Sequence, residues 1–299
     1  MIELIRPLDA QLLSAIQGIV LPWAIPLALA VTFVGNPSLW IIIAVLLHWF
    51  GWDDESFYLM NVVLFSSVAA GIVKFAVAAP RPSAEKFTVI AKDFYTGWSF
   101  PSGHSTLIAA VWAYLHKYLG KIAGFVLLLA VPLVALSRLV LGVHFPSDVV
   151  AGIILGLGVG YALLWLRQKV RHSHFKPSKV MDSLAIAGIL IAGLLVLVFL
   201  QNIPLVAVLL GYYVGFFLLK EIGFEQKKEE LATGLWKVAA GCIGTGLVLL
   251  PIVLFSGFGV IALHSETTAA AFVSFGAAGF WASFGLPWLW KKLIMKKEQ

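Results

Sequence analysis

Apolar segments of about twenty residues recur along the whole chain and constrain its fold more than any other feature. A helix needs about 20 mostly apolar residues to cross the roughly 30 Å of hydrocarbon in a bilayer. The sequence therefore predicts an all-α polytopic membrane protein with about ten transmembrane helices. The candidate spans lie at 17–35, 38–50, 56–79, 104–119, 122–142, 147–167, 181–200, 203–219, 232–254 and 268–290.

The composition excludes several classes of protein. Apolar residues make up 61% of the 299 residues and charged residues only 12%, whereas soluble domains average about 45–50% apolar and about 25% charged. These values exclude an ordinary soluble enzyme, a nucleic-acid-binding protein and a disordered chain. The single cysteine, Cys242, lies in an apolar run, which excludes a disulfide framework and a cysteine-based metal site.

Basic residues are distributed unevenly between the two predicted faces of the membrane. With the amino-terminus inside, 15 of the 21 Lys and Arg residues, Arg6 among them, fall on the cytoplasmic side, as the positive-inside rule requires. Arg81, Lys86 and Lys92 fall in an outside loop. We therefore expect an integral plasma (inner) membrane protein with both termini cytoplasmic.

One polar, basic stretch divides the chain. We expect an interfacial amphipathic helix at 1–16, because its apolar residues recur at helical spacing. A six-span core at 17–168, a basic cytoplasmic linker at 169–180 and a four-span membrane region at 181–299 follow. The extra spans either buttress the core, form the face of a possible homo-oligomer, or wall a groove for lipid access.

Small residues at four-residue spacing predict close helix packing in both halves. Gly152, Gly156 and Gly160 form a double GxxxG ridge on the sixth span. Gly188 with Ala192, and Gly276 with the nearby Gly279, have a similar character in the last four spans. We expect these residues to lie where helix backbones approach one another.

Polar residues at membrane depth are expensive and are therefore functional candidates. The first cluster is Lys74 and Arg81 at the outer end of the third span. Their spacing of seven residues predicts that both project from one face of a helix. Two cations without a nearby acid repel each other unless an anion joins them; the alternative is a pair of snorkelling anchors at a helix end.

The second cluster, Phe100 to Ser105, opens the fourth span. Pro101 followed by serine and glycine at a helix start leaves backbone N–H groups free, and the helix dipole makes this end an anion site. Gly103 lets a phosphate approach the backbone closely, and His104 lies on the first turn. The alternative is a plain capped helix with an interfacial histidine.

The third cluster connects the fifth and sixth spans. Arg138 is suited to bidentate binding of an oxyanion at the membrane boundary. His144 and Asp148 are four residues apart across a helix start, so the carboxylate can reach the imidazole. A carboxylate on one ring nitrogen leaves the other free as a nucleophile or base. The alternative is an interfacial His–Asp pair beside a snorkelling arginine.

Together these clusters offer three cations, a backbone anion site, two histidines and one orienting acid on the same predicted side. This set suits phosphoryl transfer through a phosphohistidine, in which cations stabilise the phosphoryl oxygens while one histidine attacks and the other protonates the leaving oxygen. Three cationic side chains make a divalent metal unnecessary, and we expect no cofactor.

The three clusters resemble the signature motifs of a known family. Lys74 to Pro82 fits KxxxxxxRP, Pro101 to His104 fits PSGH, and Ser137 to Asp148 fits SRxxxxxHxxxD. In this order, with every signature position filled, they resemble the type 2 phosphatidic acid phosphatase (PAP2) superfamily over roughly residues 55–165.

The resemblance implies a role for each motif residue. His144 would be the nucleophile, Asp148 would orient it, and His104 would be the general acid and then the base. The phosphate would be held by Lys74, Arg81, Ser102, Gly103 and Arg138. The implied activity is metal-independent hydrolysis of a lipid phosphate or polyprenyl diphosphate at the non-cytoplasmic face, so the expected partners are a membrane lipid phosphate and the bilayer, without nucleic acid.

Three alternatives remain open. A phosphotransferase would pass the phosphoryl group to a lipid or sugar acceptor instead of water. A sugar-phosphate phosphatase of the same superfamily would have a sealed, solvent-facing cup, whereas a lateral opening between helices would favour a lipid. A catalytically silent transporter or scaffold is disfavoured because all signature positions are intact.

Overall fold

The computed structural model describes residues 2–90, 97–172, 188–189, 191–195, 203–224, 226–256 and 265–295. All regular secondary structure within these ranges is helical, as predicted. The main helices are α1 (Ile2–Gly18), α2 (Ala24–Phe33), α3 (Pro37–Trp49), α4 (Asp53–Val77), α5 (Gly103–Leu115), α6 (Lys121–Val140), α7 (Pro146–His172), α8 (Ile203–Glu221), α9 (Leu231–Ser256), α10 (Ser265–Phe280) and α11 (Leu286–Met295). A π-helical segment, Trp281–Gly285, joins the last two.

Six helical segments in the described part of the chain are long and apolar enough to cross a membrane. They are α4, α6, α7, α8, α9 and the segment Ala269–Leu293. The predicted spans at 17–35 and 38–50 correspond to α2 and α3, which meet this criterion only together, as a pair bent by 44°. The described residues thus contain six candidate spans, or seven with the bent pair. The predicted total of ten is not confirmed, and 181–200 lies largely outside the description.

Helix α5 is shorter than the span predicted at 104–119. Its 13 residues rise about 20 Å at about 1.5 Å per residue, which is less than the thickness of the hydrocarbon core. The helix begins at Gly103, next to the fully buried Ser102. Its amino-terminus therefore opens inside the protein rather than at a surface.

The predicted glycine ridge of α7 packs against α5. A Cβ atom on Gly156 would overlap the carbonyl oxygen of Thr106, and one on Gly160 would overlap that of Ala110. A Cβ on Gly152 would also meet the backbone of this helix start, 2.6 Å from the Ser102 carbonyl oxygen. The prediction of close helix contact at this ridge is confirmed.

The chain forms two compact units: one of residues 1–39 and 61–176, the other of residues 40–60 and 177–299. This division differs from the predicted six-span core at 17–168, because residues 40–60 join the second unit. Most of the predicted linker at 169–180 lies outside the described residues.

A buried polar group explains why residues 40–60 belong to the second unit. The His48 ring contacts Asp53 Oδ1 through Nδ1, at 2.7 Å, and the Ser283 carbonyl oxygen through Nε2, at 2.8 Å. Trp49 donates its indole N–H to the Ala282 carbonyl oxygen, at 2.8 Å. Both carbonyl groups belong to the π-helical segment, whose widened turn offers them to side chains of α3.

Small residues also bring α8 and α10 together in the second unit. A Cβ on Gly279 would overlap the carbonyl oxygen of Val208, and one on Gly211 would overlap that of Gly276. The packing role predicted for Gly276 and Gly279 is therefore confirmed. A Cβ on Gly188 would have no atom within 4 Å.

Helix α1 presents two different faces. Asp9 and Leu13 are buried, whereas Leu4, Leu8 and Leu12 are exposed. An apolar exposed face opposite a buried one is typical of a helix that lies in the membrane interface.

The position of α1 is inconsistent with the predicted placement of Arg6 and Asp148 on opposite faces of the membrane. The positive-inside count places Arg6 on the cytoplasmic face and Asp148 on the opposite face, yet Arg6 Nη2 lies 3.0 Å from Asp148 Oδ1. Groups on opposite faces would be separated by roughly 30 Å of hydrocarbon, so this assignment is wrong. Counted as one bent span instead of two, α2 and α3 would place Arg6 and Asp148 on the same face.

Candidate active site

Lys74 ties the first motif to the segment that precedes the second. It lies in the last turn of α4 and is buried. Its Nζ donates to the carbonyl oxygens of Trp98, at 2.7 Å, and Ser99, at 3.1 Å. The ammonium group is therefore held close to the residues that lead into α5.

Arg81 lies beyond the end of the helix that carries Lys74, whereas the spacing predicted that both project from one helical face. Helix α4 ends at Val77, and Ala78 adopts a φ of 48°, in the left-handed region that non-glycine residues rarely occupy. Arg81 follows on a non-helical segment, so it does not share a helical face with Lys74. Its Nε donates to the Gly97 carbonyl oxygen at 3.1 Å and its Nη1 to that of Val143 at 2.9 Å.

The amino-terminus of α5 has a buried serine cap and an open backbone at its first residue. Ser102 caps the helix by accepting from the Ser105 N–H at 3.4 Å, and its own N–H donates to the Asp148 carbonyl oxygen at 2.9 Å. A Cβ on Gly103 would meet no atom within 4 Å, so its backbone is open to an approaching group. His104 lies partly buried on the same turn.

The bend between α2 and α3 contributes two residues that sequence reasoning missed. A Cβ on Gly35 would lie 2.9 Å from the Cβ of His104 and 2.7 Å from Val134 Cγ1, so a larger residue would displace the histidine. Thr32 Oγ1 accepts from Arg138 Nη1 at 2.6 Å. Arg138 is 1% exposed, so its guanidinium is fixed inside the protein. No local sequence signal identifies either partner.

His144 lies between a carboxylate and a guanidinium. Its Nδ1 is 3.4 Å from Asp148 Oδ2, and its Nε2 is 3.3 Å from Arg81 Nη1. A guanidinium can only donate and an ionised carboxylate can only accept. We therefore assign the proton to Nδ1 and the lone pair to Nε2, on the side where Arg81 would hold an anion.

Asp148 is completely buried, and both of its oxygens have donors. Oδ2 accepts from Ser99 Oγ and from the Phe145 N–H, the latter at 2.8 Å. Oδ1 accepts from Arg6. Ser99 Oγ is also 3.4 Å from His144 Nδ1. Sequence reasoning missed Ser99, although it lies only two residues before the second motif, and missed Arg6, which is 142 residues away from the aspartate.

The surroundings of His144 favour its neutral form. Burial lowers the pKa of His144 well below its ordinary value of 6.5, and the positive charges of Arg81, Lys74 and Arg138 lower it further. The neutral imidazole is the form with a free lone pair on Nε2. The Nε2 lone pair is therefore unprotonated at neutral pH.

This shift predicts how stability depends on pH. A histidine whose pKa is lower in the folded than in the unfolded protein binds fewer protons when folded. Its contribution to the free energy of unfolding is therefore complete above about pH 6.5 and declines as the pH falls below that value. We expect the apparent melting temperature of detergent-solubilised protein to decrease from pH 7 to pH 5, and to decrease less in His144→Gln. Thermal unfolding followed by tryptophan fluorescence measures both. An equal decrease in the two proteins would contradict the assignment.

The positive charge at this site comes from the side chains of Lys74, Arg81 and Arg138. Within the described ranges, no group of three or more His, Cys, Asp and Glu side chains comes together in an arrangement that could hold a metal ion. Electrostatic stabilisation of a bound anion is therefore available from this chain's own cations and backbone N–H groups.

Relatives of the chain are phosphatases. The lipid A 1-phosphatase of Rhizobium etli is 32% identical over 104 residues, which are 33% of this chain and 44% of the relative. The decaprenylphosphoryl-5-phosphoribose phosphatase of Mycobacterium tuberculosis is 41% identical over 92 residues, which are 30% of this chain and 49% of the relative. The match thus spans about half the length of these curated relatives.

Among solved structures, the PAP2-type phosphatidylglycerolphosphate phosphatase of Bacillus subtilis aligns with a TM-score of 0.49 and 23% sequence identity. The alignment covers 57% of this chain and 89% of that structure.

Two family models match successive parts of the chain. The PAP2 superfamily model matches residues 55–172, which include all three motifs. A second model, described as the transmembrane extension of PAP2 superfamily phosphatases, matches residues 203–298. The chain therefore belongs to the PAP2 superfamily as an integral membrane protein that carries the transmembrane extension.

Proposed function

We propose that the protein is a membrane phosphatase that hydrolyses a lipid phosphate or a polyprenyl diphosphate through a phosphohistidine intermediate. The observation that carries this proposal is the environment of His144. Its Nδ1 faces the Asp148 carboxylate and its Nε2 faces the Arg81 guanidinium. A nucleophilic lone pair directed at a group that binds phosphate is the arrangement that phosphoryl transfer requires.

Three cations and a helix start would hold the phosphate. Arg81 and Arg138 would bind its oxygens through their guanidinium groups, and Lys74 would add a third positive charge. The Gly103 N–H and the Ser102 cap at the start of α5 would donate from the other side. As charge shifts onto the phosphoryl oxygens, these fixed donors stabilise the transition state more than the ground state.

The reaction would proceed in two steps. In the first, His144 Nε2 attacks phosphorus, the bond from phosphorus to the leaving oxygen breaks, and His104 gives that oxygen a proton. Asp148 stabilises the positive charge that develops on the His144 imidazole. In the second step, His104 removes a proton from water, which attacks the phosphohistidine. Inorganic phosphate leaves, and His144 is neutral again.

The substrate class follows from the membrane location and the named relatives. The matched proteins are named as phosphatases of lipid A at the 1-phosphate and of a decaprenylphosphoryl sugar phosphate. Both names describe a phosphate on a membrane lipid. We therefore favour a lipid substrate over a water-soluble sugar phosphate, and hydrolysis over transfer to a second acceptor.

The decisive experiment is an assay of phosphate release by the detergent-purified full chain. The substrates are phosphatidic acid, phosphatidylglycerol phosphate, undecaprenyl diphosphate, a lipid A phosphate and glucose 6-phosphate. We expect release from at least one lipid, unchanged by EDTA and inhibited by orthovanadate, which mimics phosphate. Release from glucose 6-phosphate alone would refute the lipid assignment, and no release from any substrate would refute the phosphatase itself.

We place the site on the non-cytoplasmic face of the inner (plasma) membrane, with α1 on the same face and the carboxyl-terminus in the cytoplasm. Moving Arg6 to the outside leaves 14 of the 15 basic residues on the inside, so the positive-inside rule still favours this orientation. The proposal keeps the predicted side of the site and corrects the side of the amino-terminus.

Two glycines allow this orientation to be measured. Gly18 and Gly120 are exposed, and a Cβ on either would meet no atom within 4 Å. In a Cys242→Ser background, we expect Gly18→Cys to react with a membrane-impermeant maleimide in intact cells whose outer envelope admits the reagent. Gly120→Cys, between α5 and α6, should react only after the membrane is opened. The reverse pattern would overturn the proposed orientation.

A further inference from the structure

Arg6 on helix α1 contacts the carboxylate of Asp148, which lies beside the candidate nucleophile His144. Arg6 Nη2 donates to Asp148 Oδ1 at 3.0 Å, with the Arg6 side chain 16% exposed and the aspartate fully buried. The guanidinium carbon also lies 4.2 Å from the centroid of the Phe145 ring. Phe145 directly follows His144 in the chain. Arg6 therefore contacts two neighbours of His144, Asp148 and Phe145, rather than the His144 imidazole itself.

A second acid holds Arg6 in this position. Arg6 Nη1 donates to Asp9 Oδ2 at 3.1 Å, one helical turn along α1. Asp9 in turn accepts from the Ser147 N–H at 2.9 Å and from Ser147 Oγ at 2.6 Å. The first turn of α7 and the first turns of α1 are thus joined by charge-assisted hydrogen bonds in a mostly buried setting, where such bonds are strong.

The two carboxylate oxygens of Asp148 have different partners. Oδ2 faces His144 Nδ1 and accepts from Ser99 and the Phe145 N–H. Oδ1 is left for Arg6. If Arg6 were removed, the described contacts would leave this buried oxygen without its charged donor, which is costly. The carboxylate would then be free to rotate about its Cβ–Cγ bond toward other donors, and His144 would lose its fixed orientation.

We propose that Arg6 is a positioning residue for the reaction at His144, acting through Asp148, and that α1 is therefore part of the active site. The inference rests on the proposed phosphatase function. It concerns a residue outside the family match, which begins at residue 55. Because Arg6 contacts the orienting acid rather than the phosphate-binding cations, its loss should slow the chemical step and leave substrate binding nearly unchanged.

The chain offers a matched control for removing a buried arginine. Arg167 also belongs to the first unit, is buried, donates to the Tyr114 hydroxyl oxygen at 2.9 Å, and stacks over the Tyr118 ring at 4.6 Å. It lies near the end of α7 that is remote from His144. Arg6→Ala and Arg167→Ala thus remove the same buried side chain and a similar aromatic contact, while only Arg6 donates to Asp148.

The test compares kcat, KM and apparent melting temperature for Arg6→Ala, Arg6→Lys, Asp9→Asn and Arg167→Ala, using the full chain and the best lipid substrate. We expect Arg6→Ala to lower kcat by about 10- to 100-fold, the usual effect of removing a partner of a catalytic ligand, with KM within about twofold. Arg6→Lys should recover part of kcat because it restores a charged donor. Asp9→Asn should lower kcat less than Arg6→Ala, and Arg167→Ala should keep kcat near the wild-type value.

The possible failures are distinguishable. Wild-type kcat in Arg6→Ala, a loss confined to KM, or an equal loss in Arg167→Ala would overturn the positioning role while leaving the phosphatase intact. If Arg6→Ala does not fold, Arg6→Lys and Asp9→Asn test the positioning role instead. Wild-type kcat in both variants would overturn the role, and a loss of kcat in both would support it. An inactive wild type, or an active His144→Ala variant, would overturn the proposed function and this inference with it.

Discussion

Replacing His144 with alanine is expected to abolish phosphate release, with kcat reduced by at least about 10⁴-fold, as for other covalent nucleophiles. The imidazole of His144 is 2% exposed and its Nε2 lies 3.3 Å from Arg81 Nη1, so alanine leaves no nucleophilic nitrogen beside this guanidinium. The measurement is colorimetric phosphate release by purified protein, with the lipid substrate that the panel identifies.

His116→Ala is the matched control. His116 lies at the opposite end of α5, where its Nδ1 contacts the Ala113 carbonyl oxygen at 2.8 Å and its ring stacks on Trp112. This variant loses an imidazole that lies away from Lys74, Arg81 and Arg138, so we expect activity near the wild-type level. Substantial turnover by His144→Ala, in a preparation with wild-type melting behaviour, would eliminate the covalent mechanism.

Replacing Gly156 with valine is expected to cause a large loss of stability. A Cβ there would overlap the Thr106 carbonyl oxygen and lie 2.9 Å from the Ala109 Cβ. Overpacking of this kind costs about 1–3 kcal/mol or more, and a backbone carbonyl cannot move aside as a flexible side chain can. Because α5 carries His104 and the turn that we propose to bind phosphate, separation of α5 from α7 should also lower activity.

Gly158→Val is the control for this prediction. Gly158 lies two residues further along α7 on an exposed face, and a Cβ there would meet no atom within 4 Å. Both variants add the same side chain to the same helix, so differences in helix propensity cancel. We expect the apparent melting temperature to fall by several degrees in Gly156→Val only. A similar fall in both variants would mean that the ridge is not a close contact.

Much of the candidate site could be predicted from sequence because short-range geometry determines it. His144 and Asp148 are four residues apart across a helix start, and the structure brings Nδ1 and the carboxylate to 3.4 Å. Gly103 opens α5 beside its Ser102 cap, as the local sequence predicts. Each of these arrangements depends on a few neighbouring residues whose backbone conformations are largely local.

The spacing argument predicted that Lys74 and Arg81 lie close together, but for the wrong reason. Both cations act on His144, but Arg81 lies on the non-helical segment after Ala78 rather than along a helical face. Pro80 and Pro82 signal that the helix ends before Arg81, and the spacing argument did not use this signal. The placement of Arg6 and Asp148 on opposite faces was mispredicted for a related reason, since hydropathy does not distinguish two spans from one bent pair.

The sequence by itself determined the membrane setting, the all-helical class, the three motifs and the glycine ridge, because composition, local spacing and residue size are properties of short segments. The tertiary structure alone decided which distant residues complete the site. Gly35 against His104, Thr32 on Arg138 and Arg6 on Asp148 are contacts between segments far apart in the chain. Such contacts depend on how whole helices pack, and for this reason no pattern within one segment of the sequence reveals them.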